Sequence, residues 1–184
     1  MKFLKNPVVA VLLSLAIVIS STLISTNIKL GKRCDKVRDG FYEGVVYDGY
    51  EHKSIASHIK NICGAASGLV AVANNYDIDT APLSSAVDSM KSGLSNGSVS
   101  ENYMLYYHLL SAFDKVEHEL SDVSLSERDA SGAEQYALTV QGACKAIDES
   151  GYNESVREFY RKQLRFPADV LGRLAGVDIP QLFE

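Results

Sequence analysis

Two short strings of the sequence contain the residue types of a carboxylate-bridged metal site. Each has the order Asp-x-x-Glu-His, and they run from Asp48 to His52 and from Asp114 to His118. Di-metal sites in helical bundles use Glu-x-x-His on two helices and a further Glu from each of two others. Here the Glu and the His are adjacent, so on a helix they point about 100° apart. We therefore expect no metal site and no cofactor.

The sequence also lacks the motifs of nucleophilic catalysis and of phosphate binding. No serine lies in a G-x-S-x-G motif, and neither GxxxxGK[ST] nor GxGxxG occurs. The remaining histidines, His58 and His108, are far apart along the chain, as surface or core histidines usually are. We predict no catalytic residues. The alternative is a metal-binding or enzymatic helical bundle that uses interior carboxylates and histidines.

Composition and charge narrow the class of protein. The chain has 184 residues, with 18 basic and 23 acidic side chains and a net charge of -5. No polybasic run is present, so we expect no nucleic-acid partner. Only 4 prolines occur, which favours helices over a turn-rich β fold. The cysteines, Cys34, Cys63 and Cys144, are widely separated, and we predict buried free thiols, which favours a reducing compartment.

One uncharged apolar segment lies near the N-terminus. It runs from Val8 to Ile24 and reads VVAVLLSLAIVISSTLI, at the short end of what spans a bilayer. A cleaved signal peptide is the rival interpretation, because Lys2 and Lys5 precede an apolar stretch. No A-x-A-like cleavage site follows it. We predict a tail over residues 1–7, a transmembrane anchor over 8–27 and a basic juxtamembrane linker over 28–35.

Basic residues around this segment indicate its orientation. Two lysines precede it, and five basic residues follow it: Lys29, Lys32, Arg33, Lys36 and Arg38. The cytoplasmic side of a membrane protein carries the excess of Lys and Arg. We therefore predict a single-pass protein of the cell membrane, with its soluble domain in the cytoplasm.

Apolar residues at helical spacing predict four helices after the anchor. The first runs from Lys36 to about Asn75, and the second from the region of Pro82 to about Leu94. The third begins with Ser100 as its N-cap, and the fourth covers residues 133–165. No segment alternates with period two for long enough to predict a strand. The expected fold is all-α: a transmembrane helix, then an antiparallel four-helix up-down bundle over residues 36–167 and a tail over 168–184.

The end of the sequence resembles a known family. The string Tyr152-Asn-Glu-Ser-Val-Arg-Glu-Phe159, followed by Arg165-Phe-Pro167, is similar to the last helix of the bacterial LemA family. The signature residues are Tyr152, Asn153, Val156, Arg157, Phe159, Arg165, Phe166 and Pro167. Gly172, Gly176, Pro180 and Phe183-Glu184 resemble the family's last residues, and Phe41 stands where the family has a Trp. The resemblance implies a membrane-anchored four-helix bundle without catalytic residues, whose molecular role is unsettled. It also implies that this chain is a divergent member of the family.

Three polar residues interrupt the apolar faces of the predicted bundle. Asp48 and His52 fall on the first helix, and Gln163 falls on the fourth, so we predict a buried polar layer between them. The alternative is that both side chains of the first helix reach water. Phe166 is expected to close the bundle by packing around Phe41.

Two further clusters have alternative interpretations. The tyrosines at 103, 106 and 107 form either part of the core or an exposed groove for a partner. The basic residues Arg157, Arg161, Lys162 and Arg165 form either a solvated helix face or a contact with anionic lipid headgroups. From the whole sequence we expect a non-enzymatic scaffold, bound to the membrane and presenting a surface to another protein.

Overall fold

The computed structural model describes residues 7–47 and 49–184, and this part of the chain is mostly helical. The helices are α1 (Pro7–Glu43), α2 (Ile55–Ala73), α3 (Ala81–Asn96), α4 (Val99–Ser121), α5 (Glu127–Asp148), α6 (Tyr152–Gln163) and α7 (Ala168–Leu174). Two short strands, β1 (Val45–Tyr47) and β2 (Tyr50–His52), form an antiparallel hairpin. The predicted linker, residues 28–35, is helical and belongs to α1, and the predicted tail contains α7.

The chain divides into two compact units. Unit 1 contains the residues up to Arg38 together with Val156–Pro180, and unit 2 contains Asp39–Ser155 together with Gln181–Glu184. Unit 1 thus holds most of α1 and α6 and all of α7. Its core consists of Leu30, Cys34 and Phe159, with Val37, Tyr160, Leu164 and Val177 packed around them.

Helix α2 is the centre of unit 2. It contacts α3, α4 and α5, while α3 also lies along α4. The buried side chains recur three or four residues apart on each helix, as an apolar helix face requires. They include Ile59, Ile62 and Leu69 on α2, Val87 and Met90 on α3, Leu109 and Phe113 on α4, and Val140 and Ile147 on α5. Burial of these apolar faces is the main stabilising contribution to unit 2.

The predicted single helix from Lys36 to Asn75 is wrong. Helix α1 ends at Glu43, because Gly44 has a φ of +97°, which an L side chain rarely adopts. Val45 then pairs with His52 in the hairpin, so the prediction that the chain has no strand is wrong as well. Helix α2 starts afresh, since the Ser54 hydroxyl caps it by accepting a hydrogen bond from the Ser57 amide at 3.1 Å.

The predicted fourth helix is also interrupted. Helix α5 begins at Glu127 and ends at Asp148, and Gly151, with a φ of +71°, separates it from α6. A Cβ at Gly151 would lie 2.7 Å from the Cβ of Tyr47, so the position excludes a side chain for a second reason. The long first and fourth helices on which the up-down bundle was predicted therefore do not exist as single helices.

The second and third helices lie close to their predicted positions. Pro82 is in the first turn of α3, and the helix ends just before Gly97. The N-cap of α4 is Ser98 and not Ser100, because Ser98 and Glu101 form a reciprocal capping box. The Ser98 hydroxyl accepts from the Glu101 amide at 3.2 Å, and the Glu101 carboxylate accepts from the Ser98 amide at 2.7 Å.

A buried amide in α4 gives a first prediction about stability. Asn102 is fully buried, and neither its amide nitrogen nor its amide oxygen has a hydrogen-bond partner among the described residues. An unpaired buried polar group costs about 1–3 kcal/mol, and leucine has nearly the same shape. Asn102→Leu should therefore raise the free energy of unfolding by about 1–3 kcal/mol.

Thermal unfolding of the purified full chain measures this change. The matched control is Asn61→Leu on an exposed position of α2, where only the gain in helix propensity remains. Equal effects of the two substitutions, or a loss of stability in Asn102→Leu, would contradict an unpaired amide.

Candidate functional site

The N-terminal part of α1 exposes an apolar surface. Between Val8 and Ile24 nearly every side chain is exposed, including Leu12 and Ile17, the latter at 68 %. The most apolar 18-residue window of α1 has a mean hydropathy of 2.5, and none of it is buried. This helix therefore has the length and composition of a membrane anchor or of a signal sequence.

A second helix passes the same test of length and composition. The segment Ile55–Tyr76 has a mean hydropathy of 1.2, and half of its window is buried. Its buried residues, such as Ile59 and Leu69, form the core of unit 2. We therefore assign this helix to the core of unit 2.

Unit 2 holds residues 181–184 in a pocket of aromatic rings. This aromatic socket consists of Phe41, Tyr103, Tyr106 and Tyr152. Phe183 fills it and is only 5 % exposed. Its ring centroid lies 5.5 Å from that of Phe41, 5.2 Å from that of Tyr103 and 5.5 Å from that of Tyr106. These are tilted and edge-to-face pairs, the arrangements that aromatic quadrupoles favour.

Hydrogen bonds fix the backbone of the same segment. The Asn153 amide group donates to the Phe183 carbonyl at 3.0 Å and accepts from the Phe183 amide at 2.8 Å. The Tyr152 hydroxyl donates to the Gln181 carbonyl at 2.9 Å, and the Gln181 side chain accepts from the Ser100 amide at 3.1 Å. The Asn153 side chain thus pairs with both backbone groups of Phe183.

Burial favours the neutral forms of three titratable side chains, Tyr106, Cys34 and Cys63. Burial, and then a hydrogen bond with Cys144, raises the pKa of Tyr106 above its ordinary value. Burial also raises the pKa values of the Cys34 and Cys63 thiols, both of which are free. A thiol with a raised pKa is a poor nucleophile at neutral pH.

The signature residues lie at several different places. Tyr152 and Asn153 hold residues 181–183 in unit 2, as described above. Val156 and Phe159 are buried in unit 1, whereas Arg157 and Pro167 are exposed. The Arg165 side chain donates to the backbone carbonyl of Arg161 at 2.5 Å. The signature thus combines core positions, a peptide-holding pair and surface residues.

Phe166 does not pack around Phe41. Its side chain is 83 % exposed, so the prediction that it closes the bundle is wrong. Phe41 instead packs against Tyr152, with ring centroids 5.8 Å apart, and against Phe183. The reason is that α6 ends at Gln163, so the helical path that was to bring Phe166 to Phe41 stops earlier.

The predicted polar layer rested on a helix that does not exist. Asp48 lies outside the described residues. His52 is in β2, half-buried, with its ring centroid 6.5 Å from that of Tyr47. The side-chain oxygen of Gln163 accepts a hydrogen bond from Arg33 at 2.6 Å. His52 therefore lies in a strand and not on the helix face that the predicted layer required.

Side chains of the types that bind metal ions are dispersed in the part of the chain that the structure describes. No three His, Cys, Asp or Glu side chains there are close enough together to hold an ion. In the second Asp-x-x-Glu-His string, Asp114, Glu117 and His118 are exposed on α4.

An open groove separates α4 from α5 in unit 2. It measures about 630 Å³, and Phe113 and Val140 lie in its apolar floor. Its acidic side chains are Asp114, Glu117 and Glu134, all of them exposed. Leu138, 61 % exposed, also lines it. This acidic groove combines an apolar floor with negative charge, as a binding site for a basic amphipathic helix does.

Sequence reasoning named the residues of the aromatic socket but not their role. In the sequence, Tyr103 and Tyr106 form a cluster, and Tyr152 and Asn153 belong to the family resemblance. The missed link is Phe183, which joins both groups. Phe183 is the only aromatic residue that follows Phe166 in the sequence, and this is the signal that could have suggested it.

Known proteins give no independent assignment for this arrangement. No family model matches the chain, and neither the curated proteins nor the solved structures compared with it gave a match.

Proposed function

We propose that the chain is a single-pass membrane protein whose helical domain is a non-enzymatic, LemA-like scaffold on the cytoplasmic side. The observation that carries this proposal is the exposed apolar surface of α1 between Val8 and Ile24. In water such a surface is unfavourable by roughly 25 cal/mol for each Å² of apolar area. In a bilayer the same surface is satisfied, and the helix satisfies its own backbone hydrogen bonds.

The scaffold part of the proposal rests on unit 2. Helices α2–α5 serve as the four-helix bundle, and its acidic groove is the surface for a partner. The partner that fits the groove is an amphipathic helix with basic residues beside its apolar face, since acidic side chains line the apolar floor. Orientation toward the cytoplasm is supported by the five basic residues that follow the apolar segment.

Charged substitutions test the anchor. Each arginine at the centre of a membrane helix costs about 2.5–3.5 kcal/mol on insertion, so Ile17→Arg with Val18→Arg should move the protein into the soluble fraction. The control is Leu138→Arg with Thr139→Arg on exposed positions of α5, which should stay in membranes after alkaline carbonate extraction. Release of the unaltered chain by carbonate would contradict an anchor.

Mass spectrometry of the extracted chain should find its residues before Ile28, whereas a start between Thr22 and Lys29 would indicate a signal peptide.

Site-specific crosslinking tests the groove. A photo-reactive residue at position 138, in membranes of the native cell, should yield one discrete adduct whose crosslinked segment is a basic amphipathic helix. The control places the same residue at position 60, an exposed site on α2. The same adducts from both positions, or an acidic crosslinked segment, would contradict a specific acidic groove.

A further inference from the structure

Helix α7 is attached to α1 beside the apolar segment. The Asn27 side chain donates a hydrogen bond to the Ala175 carbonyl at 2.7 Å. Gly172 is buried, and a Cβ there would lie 2.8 Å from the Leu30 side chain, so the glycine allows the two helices to approach closely. These contacts, all within unit 1, fix α7 at the height of residues 27–30 of α1.

The other face of α7 is apolar and uncovered. Val170 and Leu174 are four residues apart and therefore lie on one face of the helix. They are 44 % and 68 % exposed, and Phe166, which lies two residues before α7 begins at Ala168, is 83 % exposed. An exposed set of large apolar side chains on one side of an element marks an interaction surface.

The height of α7 along α1 places this face at the edge of a bilayer. Asn27 follows Ile24, the last residue of the apolar run, by three residues, or about 5 Å of helix. The polar headgroup region on each side of the hydrocarbon core is about 5–8 Å thick. Helix α7 is therefore at the depth of the headgroups when α1 spans the membrane.

Basic side chains surround the same place. Lys29 and Arg33 on α1 line a cavity of about 300 Å³ that Gln163 and Leu171 also border. Arg165, three residues before α7, and Arg173, in the last turn of α7, are exposed. Arg33 donates to the neutral Gln163 side chain, so its positive charge is not cancelled there. Positive charge at headgroup depth attracts anionic lipids.

We propose that α7 is an interfacial helix that inserts Phe166, Val170 and Leu174 between the headgroups of an anionic lipid bilayer, with the surrounding arginines and lysines on the headgroup phosphates. This inference rests on the proposed function, because it takes α1 as the membrane anchor. It adds a second membrane contact that holds unit 1 against the bilayer, at a helix whose bond to α1 joins residues 148 positions apart. The amphipathic pattern is that of helices that lie in the plane of the interface.

A tryptophan at position 166 reports the depth directly, since the chain has no tryptophan of its own. The full-length Phe166→Trp variant is reconstituted into vesicles of phosphatidylcholine and phosphatidylglycerol in equal parts. Its emission should shift to the blue, and lipids brominated near the headgroup should quench it more strongly than lipids brominated near the chain ends. The reference variant is Ile17→Trp, in the middle of the predicted anchor, which lipids brominated near the chain ends should quench more strongly.

The possible outcomes separate the two proposals. Quenching of Ile17→Trp without quenching of Phe166→Trp overturns the interfacial helix and leaves the anchor standing. Absence of quenching in both variants overturns the anchor, and the interfacial helix with it. Equal quenching of Phe166→Trp in pure phosphatidylcholine vesicles overturns the choice of an anionic surface. Weaker quenching after Arg165→Gln with Arg173→Gln supports it.

Discussion

Replacing Phe183 with alanine should lower the free energy of unfolding by about 3–5 kcal/mol, the usual cost of removing a buried phenyl ring. Phe183 is 5 % exposed and contacts three rings of the aromatic socket. Removal of the Phe183 ring therefore leaves a cavity between the rings of the aromatic socket. For a chain of this size, such a loss lowers the melting temperature by about 6 °C or more.

The matched control is Phe166→Ala, which removes the same ring from a position that is 83 % exposed. Measured by circular dichroism on full-length protein in detergent, it should change stability by less than about 0.5 kcal/mol. Two equal melting shifts would mean that burial does not distinguish these rings, and the socket would then be wrong.

Gly44→Ala is the second change expected to have a large effect, with a loss of about 3 kcal/mol or more. An alanine at a φ of +97° is strained, and its Cβ would overlap the backbone carbonyl oxygen of His52. Backbone atoms of a paired strand cannot move aside without breaking the hairpin. The expected result is disruption of β1 and β2 as well as a lower melting temperature.

Gly49→Ala provides the comparison for Gly44. Gly49 also has a positive φ, +81°, but no atom lies within 4 Å of the Cβ it would carry. Only the backbone strain remains, at about 1 kcal/mol. The melting temperature of Gly44→Ala should therefore be well below that of Gly49→Ala. The reverse order would contradict the close approach of Gly44 to β2.

The sequence predicted helices best where local chemistry determines them. Pro82 and Gly97 mark the two ends of α3, and these signals act within a few residues. The Ser98-x-x-Glu101 capping box is also a local signal, and it places the cap two residues before the predicted Ser100. In such cases the observed helix begins or ends about two residues from the predicted position.

Long-range contacts explain what the sequence did not predict. Apolar residues from Phe41 to Ala73 keep a helical spacing, although Gly44 ends one helix and Ser54 begins another. The three-residue strand β1 is too short for period two to be recognised. Phe183 and Phe166 are both aromatic residues near the end of the sequence, and only their surroundings decide that one is buried and the other exposed.

The contacts of the aromatic socket should form late in the folding of unit 2. The bond between the Ser100 amide and the Gln181 side chain joins residues 81 positions apart. Helix α2 contacts α3, and α3 contacts α4, so these helices meet along short connections and should assemble first. Closing the socket spans a much longer loop and should follow the rate-limiting step. Phe183→Ala should then speed unfolding and leave the folding rate nearly unchanged, because contacts that form late have φ-values near zero.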